Sequence, residues 1–204
     1  MSDRRDRRYR RNKQSILDAA LEIIREAGPA ALSMRALGER SDYSAAGLYE
    51  YFGGKDEILA AVCEQGHDRL TEAMRRADSR LPVADYLVEI GLAYIGFALR
   101  NPDYFLLMFT VAPPGPRAAL SSEEMMEGDA SFNILVRALR RGIDEGVFRS
   151  RPGFGWLEMA YAAWGIVHGL AMLRVTSLRG YPMDFDAADR EALLGFVRGL
   201  QEDG

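Results

Sequence analysis

Residues 33–55, SMRALGERSDYSAAGLYEYFGGK, decide how the amino-terminal part of this chain folds. Ser33 and Ser44 can each cap a helix, because a serine hydroxyl accepts a hydrogen bond from an amide of the first turn. The spacing predicts two short helices around a turn at 41–43, with the second helix covering 45–52 and ended by two glycines. Two short helices joined by a tight turn form a helix-turn-helix, a unit that places its second helix in the major groove of DNA.

Helical periodicity continues on both sides of this helix-turn-helix, which spans residues 33–52. A preceding helix, ended by Gly28-Pro29, is predicted by apolar residues at helical spacing: Ile16, Leu17, Ala20, Leu21, Ile24 and Ala27. A fourth helix is predicted from Lys55 to Ala77, followed by helices over 82–100, 103–109, 121–146, 155–178 and 184–201, with a loop at 111–117. Because no alternating strand pattern occurs, the sequence predicts an all-α fold.

Charge is unevenly distributed along the chain. The 204 residues carry a net charge of -4, but residues 1–13 contribute seven basic and two acidic side chains, so residues 14–204 carry -9. A basic segment on an acidic body is typical of a local nucleic-acid footprint. The sequence therefore predicts a disordered basic arm (residues 1–11), a DNA-binding head (residues 12–58) and a helical body (residues 59–204) that dimerises, binds a ligand, or both.

Composition disfavours several other classes of protein. Cys63 is the only cysteine, which excludes an intrachain disulfide and a cysteine-based metal site and fits a reducing cytoplasm. The most apolar run, Met159–Leu173, is shorter than the roughly 20 residues that span a bilayer, so no membrane segment is expected. The sequence has two histidines, no Gly-rich phosphate loop and no nucleophile–histidine–acid set. We therefore expect neither an enzyme nor a bound cofactor or metal.

The second helix of the helix-turn-helix has the residue types expected at a DNA surface. Small residues at its start would let it sit deep in the groove, where a serine can hydrogen-bond and alanine methyls can touch thymine methyls: Ser44, Ala45, Ala46 and Gly47. Tyr49 and Tyr51 offer hydroxyls to phosphates or base edges, although both could instead be core aromatics, as expected for Phe52 and Leu48. Lys55 adds a cation near the phosphates.

The basic arm allows more than one interpretation. Its arginines, among them Arg8, Arg10 and Arg11, could enter a neighbouring minor groove or lie along phosphates. A solvated tail without defined contacts is an equal alternative.

Residues 16–62, ILDAALEIIREAGPAALSMRALGERSDYSAAGLYEYFGGKDEILAAV, resemble the TetR family of bacterial transcriptional repressors. The resemblance implies a three-helix head, a variable helical body, and a DNA-facing set that adds Ser33 and Arg35 to the residues already named between Ser44 and Lys55. The chain departs from the family at Ala45-Ala46-Gly47, where Lys-Gly-Thr or Arg-Gly-Ala is frequent. Direct base readout is then expected to be weak or methyl-based, with more of the affinity carried by the arm.

The body is dominated by the apolar helix WLEMAYAAWGIVHGLAMLRV, residues 156–175, which must be buried on nearly all sides. The resemblance implies that the last two helices pair with those of a twin subunit as a four-helix bundle, which Gly165 and Gly169 would allow to pack closely. Trp164, His168 and Gly169 further resemble a body subtype named for a Trp-His-Gly motif. An apolar ligand cavity is expected among eight candidates: Tyr94, Phe97, Tyr104, Met108, Phe132, Tyr161, Trp164 and His168.

We therefore hypothesise a homodimeric repressor that binds a palindromic double-stranded DNA operator and is released by a small, largely apolar effector. Each cavity candidate could instead be plain core, and His168 could be a hydrogen-bonded core or interface histidine. The alternative to a repressor is a helical ligand-binding or adaptor protein that does not bind specific DNA sequences. The residues do not distinguish a repressor from an activator, nor do they name the operator or the effector.

Overall fold

The computed structural model describes residues 2–110 and 130–201. Within those ranges the chain forms helices and no β-strand, which confirms the predicted all-α fold. A 3₁₀ turn lies at Pro29–Ala31, and the helices are α1 (Ser2–Ala27), α2 (Met34–Arg40), α3 (Ala45–Leu48), α4 (Lys55–Arg75), α5 (Val83–Arg100), α6 (Pro102–Thr110), α7 (Ala130–Asp144), α8 (Trp156–Val175) and α9 (Phe185–Gln201). The predicted loop at 111–117 and the first part of the predicted helix 121–146 lie outside the described residues.

The described residues form two compact units. The first contains residues 2–66 and 103–110, and the second contains residues 67–102 and 130–201. The division falls inside α4, between Gly66 and His67. The limits of the head and body, at residues 58 and 59, stay predictions.

The first unit has a core built around α1. Five of the apolar residues predicted on this helix are buried: Ile16, Leu17, Ala20, Leu21 and Ile24. Leu37 of α2 and Leu48 of α3 are fully buried, and Phe52 is almost fully buried, as expected from the sequence. Burying each such side chain stabilises the fold by about 1.5–3 kcal/mol relative to leaving it exposed. Gly28 ends α1 with a φ of 79°, a left-handed conformation that favours glycine.

The basic arm is the first difference from the sequence-based expectation. Residues 1–11 were expected to be disordered, whereas α1 begins at Ser2 and continues without a break to Ala27. Arginine has a high helix propensity, and no glycine or proline interrupts residues 2–27. The arginines therefore lie on a helix that continues from the buried part of α1.

The second difference is the length of α3. The sequence predicts a helix over 45–52, but α3 ends at Leu48. After Leu48 the backbone continues as tight turns, with the amides of Glu50 and Tyr51 bonding three residues back to Gly47 and Leu48. Periodicity alone does not separate these i→i+3 turns from α-helix, because both place Leu48 and Phe52 towards the core.

In the second unit, α5 packs against α7, α8 and α9. Its buried face includes Leu87, Ile90, Tyr94 and Phe97. The chain leaves α7 by a sharp turn at Gly146, and both Val147 and Phe148 donate backbone hydrogen bonds to the Gly142 carbonyl, at 2.8 and 2.9 Å. This turn folds the buried Phe148 ring back over α7.

Replacing Gly142 with alanine is expected to destabilise the second unit. A Cβ at this position would lie 2.0 Å from Cδ2 and 2.3 Å from Cε2 of Phe148, whose ring is held by its own turn and is 2% exposed. Overpacking of this kind costs about 1–3 kcal/mol, which urea unfolding monitored by circular dichroism would measure. A companion Phe148→Leu substitution in the same chain should recover part of that loss. Unchanged stability of the Gly142→Ala variant would contradict this packing.

Candidate DNA-binding surface and ligand site

Both predicted helix caps form at the helix-turn-helix. The Ser33 hydroxyl accepts a hydrogen bond from the Ala36 amide at 3.1 Å, and the Ser44 hydroxyl accepts one from the Gly47 amide at 3.0 Å. Leu37 of α2 and Leu48 of α3 are both fully buried and anchor the two helices in the core of the first unit. The two helices and the turn between them are therefore specified locally by two serines and two leucines.

The start of α3 presents small side chains to solvent. Ser44, Ala45 and Ala46 are exposed, and Gly47 is half-buried. Tyr49, which follows α3, is 57% exposed. This surface can approach another molecule closely, and it offers methyl groups and a tyrosine hydroxyl. Because the Ser44 hydroxyl already accepts the cap bond, its remaining capacity lies mainly in donating its hydrogen.

Two further predicted DNA-facing residues are exposed beside this surface. Ser33 is exposed at the start of α2, and Arg35 is exposed on the same helix. The Arg35 guanidinium pairs with Glu39 at 3.2 Å, in a pair whose side chains are 89% and 68% exposed. Surface pairs of this kind contribute about 0–1 kcal/mol, so Arg35 can exchange this carboxylate for a phosphate at little cost.

Tyr51 and Lys55 have partners within the protein. The Tyr51 ring stacks on Tyr9 at 5.0 Å between centroids and meets Tyr43 edge-on at 5.7 Å. Its hydroxyl oxygen accepts a hydrogen bond from Asn12 Nδ2 at 2.9 Å. The Lys55 ammonium lies 3.4 Å from the Ala30 carbonyl oxygen, and both Tyr51 and Lys55 are half-buried.

Sequence reasoning missed this aromatic group. Tyr9, Asn12 and Tyr43 were not among the predicted site residues, and pairing Tyr9 with Tyr51 joins positions 42 residues apart. One signal was available: Tyr9 and Asn12 lie seven and four residues before the buried Ile16, so they share its face of α1 at helical spacing, although Tyr9 is itself 45% exposed. The three predicted arm residues, Arg8, Arg10 and Arg11, are exposed on this part of α1.

In the second unit, four of the predicted cavity residues come together. Tyr94 Oη lies 3.0 Å from His168 Nδ1, and Trp164 Nε1 donates to the same hydroxyl at 3.4 Å. The Trp164 ring also meets Phe132 and His168, with centroids 6.2 and 6.0 Å apart. Burial lowers the pKa of His168 below its ordinary value, which favours the neutral imidazole near pH 7. We call Tyr94, Phe132, Trp164 and His168 the aromatic cluster.

The other four candidates have individual surroundings. Phe97 is 1% exposed in the core of the second unit, and Tyr161 is 74% exposed. Tyr104 and Met108 belong to the first unit. There Tyr104 donates its hydroxyl to Gln65 Oε1 at 3.2 Å, and Met108 Sδ packs 2.4 Å from where a Cβ of Gly66 would lie. The eight residues grouped by periodicity therefore occupy several environments.

Comparison with known protein families assigns both parts of the chain. Residues 16–62 match a model described as bacterial regulatory proteins, tetR family, and residues 87–195 match one described as Tetracyclin repressor-like, C-terminal domain. The second match alone covers more than half of the chain. The chain belongs to the TetR family. Members of this family are DNA-binding transcriptional regulators.

Individual relatives of this TetR-family chain are distant. It is 27% identical over 93 residues to the HTH-type transcriptional regulator YobS of Bacillus subtilis (strain 168), a match that covers 46% of this chain and 49% of that protein. It is 28% identical over 127 residues to the HTH-type transcriptional repressor KstR of Rhodococcus jostii (strain RHA1), covering 62% of this chain and 59% of the repressor. The chain thus spans about half the length of these curated relatives.

Among solved structures, a protein of unknown function from Rhodococcus sp. RHA1 has the same fold, with a TM-score of 0.77 and 26% identity over 93% of this chain and 95% of that one.

Within residues 2–110 and 130–201, the TetR-family chain has neither a candidate metal-binding cluster nor a candidate membrane span. No group of three or more His, Cys, Asp or Glu side chains in that part could hold a metal ion. None of the helices described there is both long and apolar enough to cross a membrane.

Proposed function

We propose that this TetR-family protein is a transcriptional repressor that binds a palindromic operator as a homodimer and is released by a small, largely apolar effector. The observation that carries the proposal is the capped helix-turn-helix, whose second helix presents Ser44, Ala45 and Ala46 to solvent within the segment matched by the family model. As a regulator of bacterial DNA it would act in the cytoplasm. The head would comprise residues 12–58, and the body residues 59–204.

The DNA contacts would divide by chemistry. The small residues of α3 would enter the major groove and touch base edges, which gives sequence preference. Hydroxyl and cationic groups around them would fix the register on the phosphates. The proposed set is Arg8, Arg10, Arg11, Ser33, Arg35, Ser44, Ala45, Ala46, Gly47, Tyr49, Tyr51 and Lys55.

Exposed faces on α8 and α9 support the homodimer. Along α8, residues at every fourth position are exposed: Leu157, Tyr161, Gly165, Gly169 and Leu173. Three of these, Leu157, Tyr161 and Leu173, are large and apolar. Along α9, small residues are exposed at similar spacing: Ala188, Ala192, Gly195 and Gly199. An apolar stripe beside small residues lets helices of two copies approach closely and removes the stripe from water. In a C2 dimer the two recognition helices must lie about 34–36 Å apart to enter successive major grooves.

The aromatic cluster supports an effector site in the body. It combines three aromatic rings with the hydroxyl and imidazole of Tyr94 and His168, the mixture of apolar surface and few polar groups that is usual in small-molecule sites. We propose that the body belongs to the Trp-His-Gly subtype, which it resembles at Trp164, His168 and Gly169.

Contacts within the first unit suggest how effector binding could change the position of the DNA-binding head. Asp103 of α6 pairs with Arg25 of α1 at 2.7 Å. Tyr104 bonds Gln65, which in turn donates to Gln14 of α1 at 2.7 Å. Only Asn101 separates α5, which carries Tyr94, from α6 in the chain. A shift at the end of α5 would therefore move α6 and, through these contacts, α1 of the head. An effector need favour the displaced state by only a few kcal/mol.

The proposal is tested by selecting duplexes from random DNA with the purified protein and titrating the selected duplex against salt. A palindromic site whose affinity falls steeply with salt supports it. Binding without sequence preference, or no binding at low salt, would favour the adaptor alternative. Candidate apolar compounds can then be screened by thermal shift. An effector that saturates the protein and leaves operator affinity unchanged would contradict the release mechanism.

Replacing Gly169 with glutamate is expected to weaken the dimer at least tenfold without destabilising the monomer. Among the described residues, and apart from its chain neighbours and the helix's own backbone, no atom lies within 4 Å of a Cβ at this position, and glutamate is a better helix former than glycine by about 0.5–1 kcal/mol. In the dimer, however, the carboxylate would be buried against apolar side chains. Sedimentation equilibrium gives the dissociation constant, and Ala60→Glu on the exposed face of α4 is the control. An unchanged constant would place the interface elsewhere.

A further inference from the structure

One face of the arginine-rich part of α1 is docked on the turn that follows α3. Tyr9 stacks on Tyr51 with an interplanar angle of 24°, and Asn12 donates to the Tyr51 hydroxyl. Lys13 Nζ lies 4.9 Å from the centre of the Phe52 ring. Positions 9, 12 and 13 have the i, i+3, i+4 spacing of a single helix face, and Ile16 extends that face into the core.

Three contacts of different kinds hold this segment of α1 in place: stacked rings, a hydrogen bond and a cation over an aromatic ring. Stacked rings contribute about 0.5–1.5 kcal/mol beyond their buried area. The hydrogen bond from Asn12 and the cation over the Phe52 ring add two further contacts of comparable size. Together they hold a segment that, by its charge alone, would be expected to move freely in solution.

The arginines cover the remaining faces of this segment. Residues 4–11 are exposed throughout and extend over about 12 Å of helix at 1.5 Å per residue. Arg8 lies close enough to Tyr43 to lower the pKa of that hydroxyl, against the larger effect of burial, which raises it. Since Tyr43 directly precedes Ser44, the cap of α3, Arg8 lies near the start of the recognition helix.

The hydrogen bond from Asn12 determines which role remains for the Tyr51 hydroxyl. Its oxygen accepts from Asn12, which leaves its hydrogen to be donated, and no acceptor for that hydrogen is found among the described residues. A phosphate oxygen is the acceptor that a DNA backbone offers at such a surface. Asn12 would then select the donating orientation of Tyr51.

We propose that the first three turns of α1 bind the DNA backbone as a docked helix rather than as a flexible arm, with Tyr9 and Asn12 as the residues that position them against Tyr51. This inference rests on the proposed function and deepens it. It assigns the phosphates flanking the recognition helix to Arg8 and Arg11. Positioning by Tyr9 matters because a docked helix loses less conformational entropy on binding than a disordered segment does.

The main test measures affinity for the selected operator duplex as a function of salt. Tyr9→Ala is expected to weaken binding about tenfold at 0.1 M salt and to make the slope of log K against log salt shallower by about 2, the equivalent of two lost phosphate contacts. Tyr9→Phe keeps the stacked ring and should restore both values. Tyr9→Ala with an unchanged slope would overturn the proposal.

A double-mutant cycle separates positioning from a direct role of Tyr51. In a background with Arg8→Gln, Arg10→Gln and Arg11→Gln, the further change Tyr9→Ala should alter affinity by less than about twofold, because the charges that it positions are gone. An equal loss in both backgrounds would mean that Tyr9 acts only through Tyr51, and would overturn the proposal.

Hydrogen exchange in the free protein tests the docking without DNA. Amides of residues 6–12 should be protected in the unaltered protein and lose that protection in Tyr9→Ala. Unprotected amides in the unaltered protein would overturn the docking alone. Absence of duplex binding by the unaltered protein would overturn the proposed function together with the DNA contact, whatever the exchange result.

Discussion

Replacing Ala46 with glutamate is expected to lower operator affinity at least a hundredfold while the protein stays folded. Ala46 is exposed at the second position of α3, so a longer side chain meets no protein atom of the core. A carboxylate in the first turn of a helix is favourable for folding, because it faces the positive end of the helix dipole. In a major groove the same carboxylate would meet phosphates and the acceptor atoms of base edges. The expected loss corresponds to about 2.7 kcal/mol of binding free energy.

Two controls separate charge from size and place. Ala46→Gln has nearly the same shape without the charge and should cost about tenfold or less. Ala60→Glu adds the same charge to an exposed position of α4 and should change affinity by no more than about threefold, through long-range repulsion alone. Fluorescence anisotropy with the selected duplex measures all three variants, and circular dichroism confirms that each is folded. Tight binding of the operator by the Ala46→Glu variant would show that α3 does not lie in the major groove.

The local features of the head could be predicted from sequence because each depends on a few neighbouring residues. A serine before a helical run can cap it through a hydrogen bond to an amide of the first turn, and both Ser33 and Ser44 do so. The same holds for Gly28, which ends α1 one residue before a proline. The end of α3 could not be predicted in this way, since α-helical and 3₁₀ turns bury the same positions.

Contacts between distant positions were not predictable from pattern. Tyr94 and His168 lie 74 residues apart, and the spacing of α5 and α8 gives no sign that their polar atoms meet. Periodicity identified both as apolar-face residues, but it does not show which of the eight candidates contact each other. Tyr161 and Trp164 are three residues apart and so lie close together around α8, yet they are 74% and 37% exposed. Which face meets which helix is decided by tertiary packing.

A buried ion pair between the last two helices carries the second large effect. Arg174 of α8 bonds Asp189 of α9 at 2.5 Å, and the Asp189 side chain is only 3% exposed. The same guanidinium also meets Asp186 at 2.9 Å, but that carboxylate is 87% exposed. Burial lowers the pKa of Arg174, but the hydrogen bonds that its guanidinium donates to the two carboxylates more than offset this, so the pKa of Arg174 is raised overall. This pair links the last turn of α8 to the first two turns of α9.

Replacing Asp189 with alanine is therefore expected to destabilise the protein by about 3 kcal/mol, because it leaves a mostly buried guanidinium without its main partner. That loss corresponds to a fall of roughly 6–12 °C in the melting temperature. Asp186→Ala removes a carboxylate from the same guanidinium at the surface and should cost no more than about 0.5 kcal/mol. Asp189→Asn, which keeps an acceptor and loses the charge, should fall between them. Melting curves must be recorded at one protein concentration, since dimerisation would add stability that depends on concentration. Equal losses for Asp186→Ala and Asp189→Ala would show that burial does not distinguish the two carboxylates.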